Sequence, residues 1–222
     1  MDKANPVLMP LDPNVKLEPN LEGHEDSSQQ NAYVSLLGSL QYLSRPDIMF
    51  AINRLAAYTS NPGLSHYTAL KRVLRYLKGT IDHGITYQND NTLLEDNNLC
   101  HGYSDAAYVN TDDYKSTLGY VFLVNKGAIT WGSKKQSTIA LSTTEANYVA
   151  ISEASREALW LQHLYGELGF AQKQATMLFG DNDGSIAMAK NLQFHRHTKH
   201  VKLQWHWVWN LVQDGIIEWK NC

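Results

Sequence analysis

The sequence predicts a mixed-sheet α/β domain of about 125 residues, preceded by a small helical module. Three observations predict it. Apolar residues at helical spacing dominate residues 31–87. The run QNDNTLLEDNN at 88–98, crowded with Asn and Asp, then breaks that pattern as a linker does. Beyond it, from residue 99 to 222, strand-like segments come first and helix and strand then alternate.

Taken in order, residues 1–30 are rich in Pro, Asn, Glu and Gln and read as an extended leader. YVSLLGSLQYL has helical spacing, and Pro46 biases Arg45 away from helix. IMFAINRLAAYTS resumes that spacing and stops at Asn61-Pro62-Gly63. In HYTALKRVLRYLKGT, Leu70, Val73, Leu74 and Leu77 share one face, Lys71, Arg75 and Lys78 another, and Gly79 is placed as a C-cap.

In the second part LCHGYSDAAY, TLGYVFLV and AITWGS read as strands, with Asn125-Lys126-Gly127 as a short hairpin turn. A long helix runs from about Ser142 to Leu168, carrying the stripe Ile151, Ala154, Ala158, Leu161, Tyr165 and Leu168 and ending at Gly169. ATMLFG is a short strand, Asn182 to Lys190 a short helix, Val201 to Val212 a last helix and IIEW a last strand, which makes a five-stranded sheet.

Apolar residues make up 43% of the 222 and charged residues 18%, enough for a packed core and against extended disorder. Cys100 and Cys222 cannot form a disulfide framework, so a reducing, intracellular compartment is expected, cytoplasm and nucleus not being distinguished. Pro6, Pro10 and Pro13 break the N-terminus where a secretory signal would need an apolar run. No apolar run reaches the length of a membrane span, and no membrane partner is expected. The net charge of −3 argues against a bulk-basic nucleic-acid binder, but charge is polarised. KNLQFHRHTKHVK, from Lys190 to Lys202, has no carboxylate, and KRVLRYLK forms a second basic cluster.

Three acids sit where elements begin or end. Asp105 closes the first strand, Glu145 opens the long helix and Asp181 ends the fourth strand. Each has a purely structural reading. Asp105 fits a strand-end turn, Glu145 the third helical residue of a capping box with Ser142, and Asp181 a cap of the helix that follows. Converging at one sheet edge, they would instead suit two Mg²⁺ ions, hard cations held by carboxylates that act together on a phosphodiester. On an ideal helix Glu145 lies away from the Ile151 to Leu168 stripe, so periodicity alone does not aim it at such a site.

YSDAAY, YKSTLGYVFL, ITWGSKKQSTIALSTTEANYVA, EALWLQHLYGELGF, GDNDGSIAMAKN and HTKHVKLQWHWV together resemble the ribonuclease H domain of copia-type retrotransposon Pol polyproteins. YVSLLGSLQYL, RPDIMFAINRLA, HYTALKRVLRYLKGT and GITY resemble the connection segment after the polymerase palm of the same polyproteins, so the resemblance covers about residues 7–219. It implies a ribonuclease H-like fold, Mg²⁺ dependence with Mn²⁺ able to substitute, and cutting of RNA in an RNA–DNA hybrid. By position, Asp105, Glu145 and Asp181 match the first three metal-binding acids. Lys202 stands where the family has a fourth, an aspartate, which implies weakened activity. Asn210 replaces a common glutamate and Tyr114 a common arginine. The palm is absent from this chain, so no polymerase activity is expected, and the reverse transcriptase palm would be a partner within a parent polyprotein.

Lys134, Lys135, Arg196, Lys199 and His200 are the candidate contacts to nucleic acid, with a solvated surface as the alternative for the lysine pair and for the Lys71 to Lys78 face. His195, His197, His200 and His206 match no zinc spacing. Trp205 follows helical spacing with Val201, Val208 and Val212 and reads as core, whereas Trp207 is open to base stacking. The enzyme reading is a two-metal ribonuclease H. The alternatives are a non-catalytic nucleic-acid-binding remnant and a DNA nuclease or transposase-like enzyme on the same fold.

Overall fold

The computed structural model describes residues 4–21, 27–88, 100–191 and 202–222, and the side chains of Ser27 and of 202–205 lie outside that description. The chain divides into two compact units, Met1–Gly84 and Ile85–Cys222.

The first unit holds α1 (Ser27–Gln41), α2 (Pro46–Ala56) and α3 (Leu64–Gly79). Pro46 opens α2 with Arg45 extended before it, as the missing N–H and fixed φ of proline favour. Tyr33, Leu37 and Leu40 of α1, Ile48, Ile52 and Leu55 of α2, and Leu70 and Val73 of α3 form the core. The expected leader is partly helical, since α1 begins at Ser27, and partly core, since Leu17 is buried and its carbonyl accepts from Tyr58 Oη at 2.6 Å. Gly79 is the last helical residue, Thr80 taking the C-cap position. A side chain at Gly79 would meet Pro6 of the leader, its Cβ only 2.8 Å from that of Pro6.

The basic face of α3 is partly engaged by the N-terminal segment, while Lys71 is exposed beside the Tyr67 ring. Arg72 donates to the Met9 carbonyl at 3.3 Å, Arg75 to that of Asn5 at 2.7 Å and Lys78 to that of Ala4 at 3.0 Å. Arg45 donates to the Asp47 carboxylate and, at 2.9 Å, to the carbonyl of Thr80, joining the start of α2 to the end of α3.

In the second unit a five-stranded sheet has the order β3-β2-β1-β4-β5, from β1 (His101–Ala107), β2 (Thr117–Val124), β3 (Gly127–Lys135), β4 (Thr176–Gly180) and β5 (Ile217–Asn221). β1, β2 and β3 pair antiparallel, while β4 runs parallel to both β1 and β5. Asn125 and Lys126, at φ +49° and +65°, make the tight two-residue turn between β2 and β3 that suits the twist of a hairpin. Tyr87 and Gln88, the first residue of the expected linker, pack here, because Gln88 N donates to Asn125 O at 2.9 Å and Tyr87 Oη to Ala128 O at 2.8 Å. Gly127 is required at this point, as any side chain there would run into the Tyr87 ring.

The helices are α4 (Thr143–Glu167), α5 (Asp183–Lys190) and α6 (Lys202–Gln213). Tyr148, Ile151, Ala154, Ala158 and Leu161 of α4, Ile186 and Ala189 of α5, and Val208 and Leu211 of α6 bury one face of the sheet, around Phe122, Leu178, Ile217 and Trp219. The predicted stripe stops short: Leu168 is 60% exposed, because the helix ends and Gly169 turns the chain away at φ +83°. Trp207 and Val212 pack against the core only in part. Among the described residues no helix is long and apolar enough to cross a membrane. The second unit has the mixed five-stranded, helix-flanked, ribonuclease H-like fold that the resemblance implies.

Candidate functional site

Strand alternation separates the two faces of β1. Gly102, Ser104 and Ala106 are buried, while Tyr103, Asp105 and Ala107 are exposed. Asp105 lies inside β1, which runs on to Ala107, so it is not the strand-end turn residue of the simplest reading. Its Oδ1 accepts from the adjacent Ala106 N at 2.6 Å.

The parallel pairing of β1 with β4 sets Tyr103 level with Phe179, and their rings stack at 5.1 Å. Two residues farther along stand Asp105, two residues short of the end of β1, and Asp181, one residue past the end of β4, so both acids lie near the C-terminal ends of neighbouring parallel strands. Asp181 does not cap the next helix. Asn182 does, its Oδ1 accepting from Ser185 N at 2.9 Å, and Asp181 is left exposed.

Glu145 lies in the first turn of α4. Ser142 caps that helix, its Oγ accepting from Glu145 N at 3.1 Å, and Glu145 Oε2 accepts from Leu141 N at 2.7 Å. The capping role is therefore real in this conformation. The next residue, Ala146, is buried against Ala106 and Leu118, which seats this turn over the end of β1. Among the described residues no group of three or more His, Cys, Asp or Glu side chains is gathered closely enough to hold a metal ion. The fold thus brings Asp105 and Asp181 to one edge and leaves Glu145 on its own cap.

The nucleic-acid candidates divide. Lys135 Nζ lies 2.9 Å from Asp113 Oδ2, and a hydrogen bond from the Thr111 hydroxyl, with Lys135 beside it, holds the Asp113 carboxyl down to about 2. Lys134 is exposed and has no ion pair among the described residues. Arg196, Lys199 and His200, with His195 and His197, lie outside the described residues, as do the bulk of the 88–98 linker and the side chain of Lys202. His206 is exposed on α6.

Sequence reasoning missed Gln136, Asn182 and the Tyr103–Phe179 stack. Asn182 had a readable signal, an Asn just before a short helix. Nothing in the local sequence marks a glutamine after two lysines as buried.

No family model matches the chain. The retrovirus-related Pol polyprotein from transposon RE2 of Arabidopsis thaliana is 40% identical over 217 residues, 96% of this chain and 14% of its own length. That from transposon TNT 1-94 of Nicotiana tabacum is 36% identical over 226 residues, 98% of this chain and 16% of its own length. A secreted RxLR effector protein of Plasmopara viticola is 43% identical over 133 residues, 58% of this chain and 90% of its own length. Among solved structures, the foamy viral protease–reverse transcriptase in complex with dsDNA covers 94% of this chain and 39% of its own, at a TM-score of 0.55 and 14% identity. The same enzyme with an RNA/DNA hybrid covers 89% of this chain and 27% of its own, at 0.51 and 14%.

Proposed function

The chain belongs to the copia-type retrovirus-related Pol polyproteins, spanning 14% of the length of the RE2 relative, and on that footing we propose that its second unit is a ribonuclease H acting on the RNA strand of RNA–DNA hybrids. The observation that supports this reading is the parallel pairing of β1 with β4, which sets Tyr103 level with Phe179, two residues before Asp105 and Asp181.

The donor chemistry fits a hard divalent cation, for the candidate set is all carboxylate, without thiolate or imidazole. Asp105 and Asp181 would hold Mg²⁺, or Mn²⁺ in its place, and Glu145 would join them on leaving Leu141 N. Bound there, the ions supply an activated water and neutralise charge at the scissile phosphate. Lys134 and the basic segment from Arg196 to His200 track the hybrid backbone, as phosphate contacts position a duplex without reading its sequence. Lys202 stands at the sequence position matched to the fourth acid, so the donor set would lack one anionic ligand and gain a positive charge, and slow cleavage is expected.

The test is cleavage of labelled RNA–DNA hybrid by the purified chain with and without Mg²⁺ or Mn²⁺. Slow, metal-dependent cleavage that Asp105→Asn abolishes is expected. Salt-sensitive binding of hybrid with no cleavage under either metal would overturn the nuclease reading in favour of a non-catalytic binding remnant, the alternative that Lys202 favours.

A further inference from the structure

We propose that Gln136 is a positioning residue for Glu145, fixing the first turn of α4 on the end of β1; this rests on the nuclease reading above. Gln136 follows the last residue of β3 and is only 3% exposed. Its backbone N–H donates to Ser116 O at 2.8 Å, carrying the contact between the β2 and β3 segments one residue past the Thr117–Lys135 pair. Its side-chain Nε2 donates to Ala146 O, also at 2.8 Å. A carbonyl can only accept, so this contact fixes which end of the amide faces the helix.

Ala146 directly follows Glu145, and Ala106 directly follows Asp105. The two alanines lie in one buried cluster with Leu118, Ala140 and Ala150. One hydrogen bond from Gln136 therefore reaches the helical turn that carries one candidate acid, and that turn packs on the strand residue next to another. Leu141 N and Ser142 Oγ bond Glu145 itself, but Ser137, Thr138, Ile139 and Leu141 are exposed, and Ala140 is the one other buried residue between β3 and Ser142.

The other end of the amide sharpens the point. Gln136 Oε1 is buried with no hydrogen-bond partner among the described residues. Burying an amide oxygen unpaired is costly, and a leucine or methionine would fill the same space without that cost. What only the amide supplies is the donor to Ala146 O. Residues that orient metal-holding side chains govern metal affinity although they never touch the ion.

The experiment uses the full 222-residue chain. Hydrogen exchange of the metal-free protein is compared for wild type, Gln136→Leu and Gln136→Glu, and Mn²⁺ affinity is measured by titration. Gln136→Leu should speed exchange at Ala146 to Ala150 while Ala154 to Leu161 stay protected. It should weaken Mn²⁺ binding about ten- to a hundredfold. Glu145→Gln should weaken it similarly, and the double variant should lose little more than either single one.

A merely structural glutamine would lower the melting temperature but leave the Mn²⁺ affinity of the folded protein unchanged. That result, unaltered exchange in the first turn, or fully additive losses in the double variant would each overturn the proposal. If Gln136→Leu does not fold, Gln136→Glu decides. Its carboxylic acid can donate to Ala146 O only when protonated, so first-turn protection should return on acidification, and a pH-independent pattern would refute the role. If Asp105→Asn leaves Mn²⁺ binding untouched, the nuclease reading fails, while the exchange data still judge Gln136.

Discussion

The carboxylate of Glu145 accepts a hydrogen bond from the backbone N–H of Leu141 at 2.7 Å, so the residue matched to a metal-binding acid also ties down the entry to its own helix. A cation drawing that carboxylate away must compete with a cap.

Glu145→Gln separates the two roles. The amide oxygen can still accept from Leu141 N, so thermal stability should change by no more than about 0.5 kcal/mol. Mn²⁺ affinity and hybrid cleavage should both fall by about tenfold or more, since an anionic donor is gone. Calorimetric unfolding beside a metal titration checks this, and a large stability loss with unchanged affinity would assign Glu145 to capping alone.

Lys202→Asp should raise Mg²⁺-dependent cleavage of hybrid by about tenfold or more, a change of about 1.4 kcal/mol or more in the barrier. It exchanges a repelling ammonium for an anionic donor. Asp181→Asn in that background should abolish the gain. A chain still inactive after Lys202→Asp would place the defect elsewhere.

Asp47 gives the first unit an acid-sensitive joint. The hydrogen bond from Arg45, with that from Tyr76 Oη at 2.7 Å, lowers its carboxyl below the ordinary 3.8. A folded-state value below the unfolded one means stability present above about pH 4 and lost as pH falls through the lowered value. Acid unfolding should therefore include a step in α2 and α3, seen by hydrogen exchange as pH falls below about 4. Asp47→Asn should lower stability at neutral pH and flatten that step.

The cysteines should differ sharply in reactivity. Burial, with Glu157 nearby, pushes the Cys100 thiol up to about 12, and the residue is 1% exposed, whereas Cys222 is exposed. A thiol reagent at pH 8 should label Cys222 at once and Cys100 only on unfolding. Prompt labelling of both would show that the β1 edge opens readily.

The strands carrying or preceding Asp105 and Asp181 were legible from composition and alternation, but Asp105 lies inside β1 where a strand end was expected, because the strand runs on to Ala107. Glu145 was legible as a first-turn residue of α4, and its carboxylate closes on the N–H of Leu141, one residue before the N-cap Ser142. Leu168 was misread since periodicity runs on past the point where Gly169 turns the chain. Gln136 gave no signal at all. Its partner Ala146 is a backbone carbonyl ten residues away, and nothing local distinguishes a buried amide from a solvated one.

The leader laid along α3 carries its own consequence. Peptide oxygens of Ala4, Asn5 and Met9 each take one N–H donor of Lys78, Arg75 and Arg72. Those acceptors come from residues 63 to 74 positions away in the chain. Basicity counted along a helix is thus a property of the solitary helix, and in the folded unit three of its cations serve as clasps for neutral chain.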